Sequence, residues 1–262
     1  MSRTDTFFDA LWQHYLTVTP QARGIHQLLA ARGETVQNDH VAFRTFDDCP
    51  IDMAHLTPVL ESLGYRFEQH YDFSAKKLVA GSYACPGQPK IFLSELKRSE
   101  LSASAQALLG AMVAQIPETT LDPSIFYSGR SWAMPTYQAY SALADESEYA
   151  GWLSVWGLRA NHFTVDLNAL NADPSVQTMN EWIRQAGFSI NTAGGEVKGT
   201  PADLLEQSST LADRVSVEFP DGPQEIPSCF YEFARRHPDA SGQLYQGFVA
   251  ANANKIFEST HR

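Results

Sequence analysis

The chain has 262 residues, of which 44% are hydrophobic and 19% charged, enough to bury a full core as one large or two small units. Its formal charge of −11 at pH 7 argues against a nucleic-acid surface, because phosphate contact needs a basic face. No run approaches ~18 apolar residues, and the N-terminus lacks the basic-then-apolar pattern of a signal peptide. Cys49, Cys85 and Cys229 show no paired spacing, so isolated reduced thiols in a cytoplasmic protein without membrane contact are expected.

Residues 5–16 and 20–32 read as two amphipathic helices. The segment Asn38-Asp39-His40-Val41-Ala42-Phe43-Arg44-Thr45-Phe46 then reads as a strand whose alternation sends His40, Ala42 and Arg44 to one face and Val41 and Phe43 to the other. A helix with the stripe Met53, Leu56, Leu60 and Leu63 follows, ended by Gly64-Tyr65. Three short strands complete this part of the chain: Arg66–Glu68, Lys77–Ala80 and Lys90–Leu96. Residues 99–116 resemble a capped, alanine-rich helix, and the aromatic-rich stretch 118–158 reads as a linker packed over the rest.

The pattern then recurs. Asn161-His162-Phe163-Thr164-Val165-Asp166-Leu167 places a second histidine 122 positions after His40, with His162, Thr164 and Asp166 on one face. Asp173-Pro174 offers an N-cap and a first-turn proline, and the stripe Val176, Met179, Ile183, Ala186 repeats the earlier 3, 4, 3 steps before Gly187-Phe188. Ser189–Asn191, Arg214–Phe219 and Cys229–Ala234 are the expected returning strands, and Thr200-Pro201 the expected start of a helix. The expectation is therefore an α+β fold: tandem βαβββ units at 36–98 and 159–237, joined by 99–158 and followed by a tail at 238–262, within a single domain. A strand–helix–meander unit makes a small curved sheet that cannot close a core alone, so two of them would form an open, barrel-like mixed sheet around a cavity.

Two histidines on the opening strands of paired units invite a third ligand from a closing strand. Glu232, flanked by apolar residues in Phe230-Tyr231-Glu232-Phe233, is preferred, since a carboxylate there is costly to bury unless paired or bound to metal. Glu218 and Glu95 are the competitors. Two imidazoles and one carboxylate suit non-haem Fe(II) with open positions, while Zn or Mn with water would suit lyase, isomerase or hydrolytic chemistry, and a cavity that had lost its metal would leave a non-catalytic small-acid-binding protein. Arg44, two pleats from a ligand, suits bidentate clamping of a substrate carboxylate, its alternative being a structural salt bridge to Asp47, Asp48 or another acid. Gln207, Ser208 and Ser209 are candidate polar contacts to substrate, or else a helix end or turn. Asp166 is a candidate to orient a ligand or is simply solvated. Gly194–Gly199 reads as a turn or flap, and His14, His26, His55, His70, His237 and His261 show no ligand pattern.

The tandem units resemble the vicinal oxygen chelate fold. The segments His40–Phe46, Asn161–Val165, Gly194–Gly199, Glu206–Thr210 and Tyr231–Arg236 resemble the 2-oxoadipate dioxygenase/decarboxylase family over most of the chain. That resemblance implies Fe(II) held by His40, His162 and Glu232, with Arg44 engaging the substrate. It also implies conversion of 2-oxoadipate and O2 to 2-hydroxyglutarate and CO2, a step of lysine breakdown. Longer members carry a second substrate arginine in a C-terminal extension, for which this chain offers no match.

Overall fold

The computed structural model describes residues 2–260, leaving aside the side chains at 254, 257 and 258. Two helices open the chain, α1 (Arg3–Leu16) and α2 (Pro20–Ala31). Ser2 caps α1 reciprocally with Asp5, and Pro20 occupies the first turn of α2, where its missing N–H costs nothing. The first unit follows as read: β1 (Asn38–Phe46), α3 (Met53–Ser62), β2 (Arg66–Phe73), β3 (Leu78–Ala84) and β4 (Lys90–Leu96). Helices α4 (Ala103–Val113), α5 (Tyr137–Glu146) and α6 (Glu148–Trp156) form the connection. The second unit comprises β5 (Ala160–Asp166), α7 (Val176–Gln185), β6 (Leu205–Ser209), β7 (Arg214–Phe219), β8 (Gly222–Pro227) and β9 (Phe230–Arg236), and α8 (Ala250–Ile256) closes the chain.

Seven strands form one curled, half-barrel sheet in the order β2-β3-β4-β1-β5-β9-β6. The two opening strands, β1 and β5, are antiparallel neighbours at its centre, and each is parallel to its own closing strand, β4 or β9. The repeat is thus joined edge to edge into a single surface rather than as two facing sheets.

Both faces of this sheet are covered. On the outer face, Trp12 and Tyr15 of α1 pack on Phe163 at 5.1 and 5.0 Å between ring centroids, and Phe126 packs on Phe43 at 4.7 Å. The inner face carries His40, Arg44, His162 and Glu232, all buried. The aromatic stretch before β5 serves as its wall: the indoles of Trp132 and Trp156 donate to Ser154 O and Pro227 O, anchoring α6.

The second unit departs from its expected form in four places. Arg214–Phe219 is not in the main sheet; it pairs with β8 as a separate hairpin. The place beside the closing strand belongs to β6, which pairs with β9. Thr200-Pro201 begins one 3-10 turn (Pro201–Asp203), because Leu204 takes a left-handed backbone (φ 63°) and redirects the chain into β6. Ser189–Asn191 contributes an isolated bridge at Ile190 rather than a strand. The cap of α7 is Ser175, not Asp173: Asp173 is itself left-handed (φ 45°) and pairs with Arg235, and Ala186 at the far end is exposed.

Candidate metal centre

The register of three strands assembles the site. His40 on β1 lies opposite Thr164 on β5, and Thr164 lies opposite Glu232 on β9. His162 is two residues from Thr164, so alternation puts it on the same face. Neighbouring strands are ~4.8 Å apart, so His40 and Glu232 start about two strand spacings from each other. The curl of the sheet then tips their side chains together, and one ligand atom from each of His40, His162 and Glu232 lies within 4.8 Å of the others. His40 Nε2 is 3.5 Å from Glu232 Oε1, and His162 Nε2 is 3.1 Å from Glu232 Oε2.

Each candidate ligand is held from behind. His40 Nδ1 is 2.7 Å from Asp39 Oδ1, and His162 Nδ1 is 3.1 Å from Asn161 Oδ1. Both contacts keep the ring proton on Nδ1, so the Nε2 lone pairs turn inward. Phe230 stacks on the His162 ring at 4.5 Å, and Phe248 meets His40 edge-on at 4.9 Å. Gln207 donates to Glu232 Oε1 at 2.5 Å, and Asn252 of α8 donates in turn to Gln207 Oε1 at 3.1 Å.

The electrostatics suit a cation. Burial pushes the His162 pKa down against the pull of Glu232, which keeps the ring neutral. Burial also pushes Glu232 up, but the neighbouring His40 and His162 and the hydrogen bond from Gln207 outweigh it and hold the carboxyl below its ordinary range. Neutral imidazole and ionised carboxylate are the forms that bind metal. Glu232 Oε2 is fully buried and has no hydrogen-bond donor among the described residues. It faces an imidazole nitrogen whose proton sits on the other side of the ring, so two lone pairs oppose one another. Such a pair is costly unless a cation lies between them. The donor set therefore fits a metal ion.

Arg44 lies on the same face, its guanidinium over the rings of Tyr149 and Trp152 at 4.9 and 5.0 Å. It donates to Glu148 Oε1 at 2.8 Å and to Thr260 Oγ1 at 3.0 Å. Among the described residues its acid partner is Glu148; Asp47 pairs instead with Arg98. A cavity of about 30 Å³ adjoins these groups, walled by Phe92, Phe248 and Ile256 with the two histidines, Arg44 and Glu232. A much larger open groove beside α3, of about 880 Å³, has no such convergence of ligands.

The other expected contacts divide by strand alternation. Gln207 faces inward and holds Glu232, while Ser209, also inward, meets Ser259 at 2.8 Å. Ser208 points to the opposite face and bonds Asn180 of α7, away from the cavity. Glu218 is exposed on the β7–β8 hairpin, and Glu95 accepts from Met53 N beside α3, so neither competes with Glu232. Asp166 accepts from Asn168 N and touches neither histidine. Residue type and spacing do not single out Asp39, Asn161, Asn252 or Glu148. One signal for the first two stood in the chain: each ligand histidine is preceded directly by a side chain with a carbonyl or carboxylate oxygen. His261 lies outside the described residues.

The sequence profile described as 2-oxoadipate dioxygenase/decarboxylase matches residues 126–240. A rice (Oryza sativa subsp. japonica) protein named 2-oxoadipate dioxygenase/decarboxylase, chloroplastic/amyloplastic, is 33% identical, across 98% of this chain and 79% of its own length. The crystal structure of the Oryza sativa hydroxyglutarate synthase in complex with 2-oxoadipate superposes with a TM-score of 0.88 at 31% identity, covering 100% of this chain and 94% of that one. A Shewanella frigidimarina structure, provisionally described as a hydrolase, superposes with a TM-score of 0.89 at 47% identity over 96% of this chain and 99% of its own.

Proposed function

Because the chain belongs to the 2-oxoadipate dioxygenase/decarboxylase family, we propose that it is an Fe(II)-dependent oxygenase acting on 2-oxoadipate or a 2-oxo diacid of similar length. The observation that carries this reading is the buried convergence of His40, His162 and Glu232, with an arginine on the same face. His40, His162 and Glu232 would hold the ion, and two imidazoles with one carboxylate are the donor set suited to Fe(II) in oxygen chemistry. Fe(II) held there would supply the redox centre at which O2 is reduced.

The overall change balances. The C1–C2 bond of the oxo acid breaks and C1 leaves as CO2. One oxygen atom enters at C2, which becomes the new carboxylate, and the other enters at C3 as a hydroxyl. Decarboxylation and C–H oxidation each supply two electrons, and O2 accepts the four. The oxo acid is its own co-substrate.

The protein's part is positioning and exclusion of water. Arg44 is suited to hold the carboxylate far from the reacting carbons, which requires the substrate to take the guanidinium from Glu148 or to share it. Gln207 fixes the Glu232 carboxylate, and Phe92, Phe248 and Ile256 give the cavity its apolar wall. A volume near 30 Å³ is too small for a six-carbon acid, so the cavity must widen for substrate to enter.

Oxygen uptake after anaerobic Fe(II) loading is the test, with 2-oxoadipate and shorter and longer 2-oxo acids as substrates. One CO2 and one 2-hydroxy acid per O2 are expected. Metal-dependent turnover of an oxo acid without oxygen uptake would favour a lyase or isomerase instead. No oxygen consumption across the panel would overturn the oxygenase reading.

A further inference from the structure

Behind His40 lies an ion pair that the reaction as drawn does not use. Arg236, on the last residue of β9, donates through Nε to Asp39 Oδ2 at 2.6 Å and through Nη2 to Asp39 Oδ1 at 2.9 Å. The same carboxylate oxygen, Oδ1, accepts from His40 Nδ1 at 2.7 Å. The remaining nitrogen, Nη1, donates to Tyr245 O and Gly247 O at 2.9 and 2.8 Å. All three side chains are at least 95% buried. One guanidinium thus grips a carboxylate bidentately and also holds the backbone leading into Phe248, the residue that packs edge-on against His40.

We propose that Asp39 and Arg236 are a positioning pair that fixes the rotamer and tautomer of His40 as a metal ligand, and through it sets the metal affinity of the site. The inference rests on the metal-binding reading above. A carboxylate behind an imidazole favours the Nδ1–H tautomer and makes Nε2 more basic. The carboxylate must itself be prevented from turning, and a two-pronged guanidinium does this in a way a lysine does not. The two histidines are treated differently: His162 has only the neutral amide of Asn161 behind it, so the pair makes His40 the stronger donor. Because Arg236 Nη1 donates to Tyr245 O and Gly247 O, the segment that covers the cavity is fastened to the group that orients the ligand.

The test is metal affinity, measured with Co(II) by calorimetry and by its visible absorption, on the whole protein. Asp39→Asn is expected to weaken Co(II) binding 10–100-fold. Asp39→Asn alone leaves Arg236 buried without its counter-charge, so the decisive variant is Asp39→Asn with Arg236→Gln, which removes both charges and keeps a hydrogen-bonding pair. That double variant is expected to regain thermal stability while metal affinity stays low; a merely structural pair would recover both together. Asp166→Asn, which removes a nearby carboxylate that does not touch His40, should stay within twofold of the unsubstituted protein. Nitrogen-15 spectra of the unsubstituted protein should show His40 protonated at Nδ1. Wild-type affinity in the double variant, or an Nε2–H tautomer at His40, would overturn the proposal. Unsubstituted protein that binds no Co(II), Fe(II) or Zn(II) would instead overturn the metal reading on which the proposal stands.

Discussion

His40 and Glu232 occupy one row of the sheet with Thr164 between them, and yet their side chains approach to 3.5 Å. Across a flat sheet the two would stand about 10 Å apart. Curvature brings them together, and His162, one pleat along β5, completes the set. The candidate metal centre is therefore a property of the joined sheet rather than of either repeat.

Removing one ligand should abolish the stabilisation that metal confers. In the unsubstituted protein, Fe(II) or Co(II) at 100 times its Kd should add about 2.7 kcal/mol to folding stability. His162→Ala and Glu232→Gln should each erase most of that gain while leaving the metal-free protein folded. Thermal melts with and without metal decide it, and a His162→Ala protein that binds metal with unchanged affinity would exclude that residue from the site.

Arg44 and Glu148 should act in opposite directions on substrate binding. Their ion pair is buried on the arginine side, with Glu148 19% exposed at its side chain. Arg44→Lys keeps the charge but loses the fork, and KM for the 2-oxo diacid should rise roughly 10–100-fold, about 1.4–2.7 kcal/mol of lost binding. Glu148→Gln weakens the internal competitor for the guanidinium, so KM should fall. Steady-state kinetics on both variants check this, and a Glu148→Gln enzyme with raised KM would show that Glu148 supports binding instead.

Glu95 should make stability depend on pH. Burial raises its carboxyl to about 6, against the hydrogen bond from Met53 N and with Asp52 and Asp47 adding to the rise. The folded state therefore holds its proton more tightly than the unfolded chain, whose carboxyl titrates near 4.5. The group's favourable contribution is complete below 4.5 and is lost as pH climbs through 6. After discounting for partial exposure the loss is about 1 kcal/mol. Glu95→Gln should remove this step, so denaturant melts at pH 5 and pH 8 should differ less in the variant than in the parent.

Gly199→Ala should loosen α8. Gly199 is left-handed (φ 80°), and a methyl group there would run into Leu205 O and the Asn252 side chain. Strain of about 1–3 kcal/mol is expected. Asn252 would have to leave Gln207, the residue that holds Glu232, so proteolysis within 245–260 should speed up and metal affinity should fall with it. Unchanged protease resistance would mean that α8 docks independently of this turn.

Much of the architecture was legible locally. β1 and β4 lie where alternation put them, and the stripe of α7 from Val176 to Ile183 is buried as the 3.6-residue period requires. The polar strand β6 was not legible, because Glu206 to Ser209 are buried by partners rather than by apolar character. Gln207 looks like a loop residue until Glu232 and Asn252 surround it. Arg214–Phe219 failed for the converse reason: a correct strand pattern does not say which neighbour the strand pairs with.

From its amino-acid order alone the chain determined its repeat, the alternation of its strands, two histidines in matching places and a glutamate on a closing strand. These are short-range matters, set by backbone period and side-chain chemistry. Only the tertiary structure decided that β1 and β5 meet antiparallel, that the sheet's curl converges His40, His162 and Glu232, and that Asp39 shares one oxygen between His40 and Arg236, residues 196 apart. Such contacts depend on strand register and twist across the whole sheet, and no local pattern encodes the distance between residues that far apart along the chain.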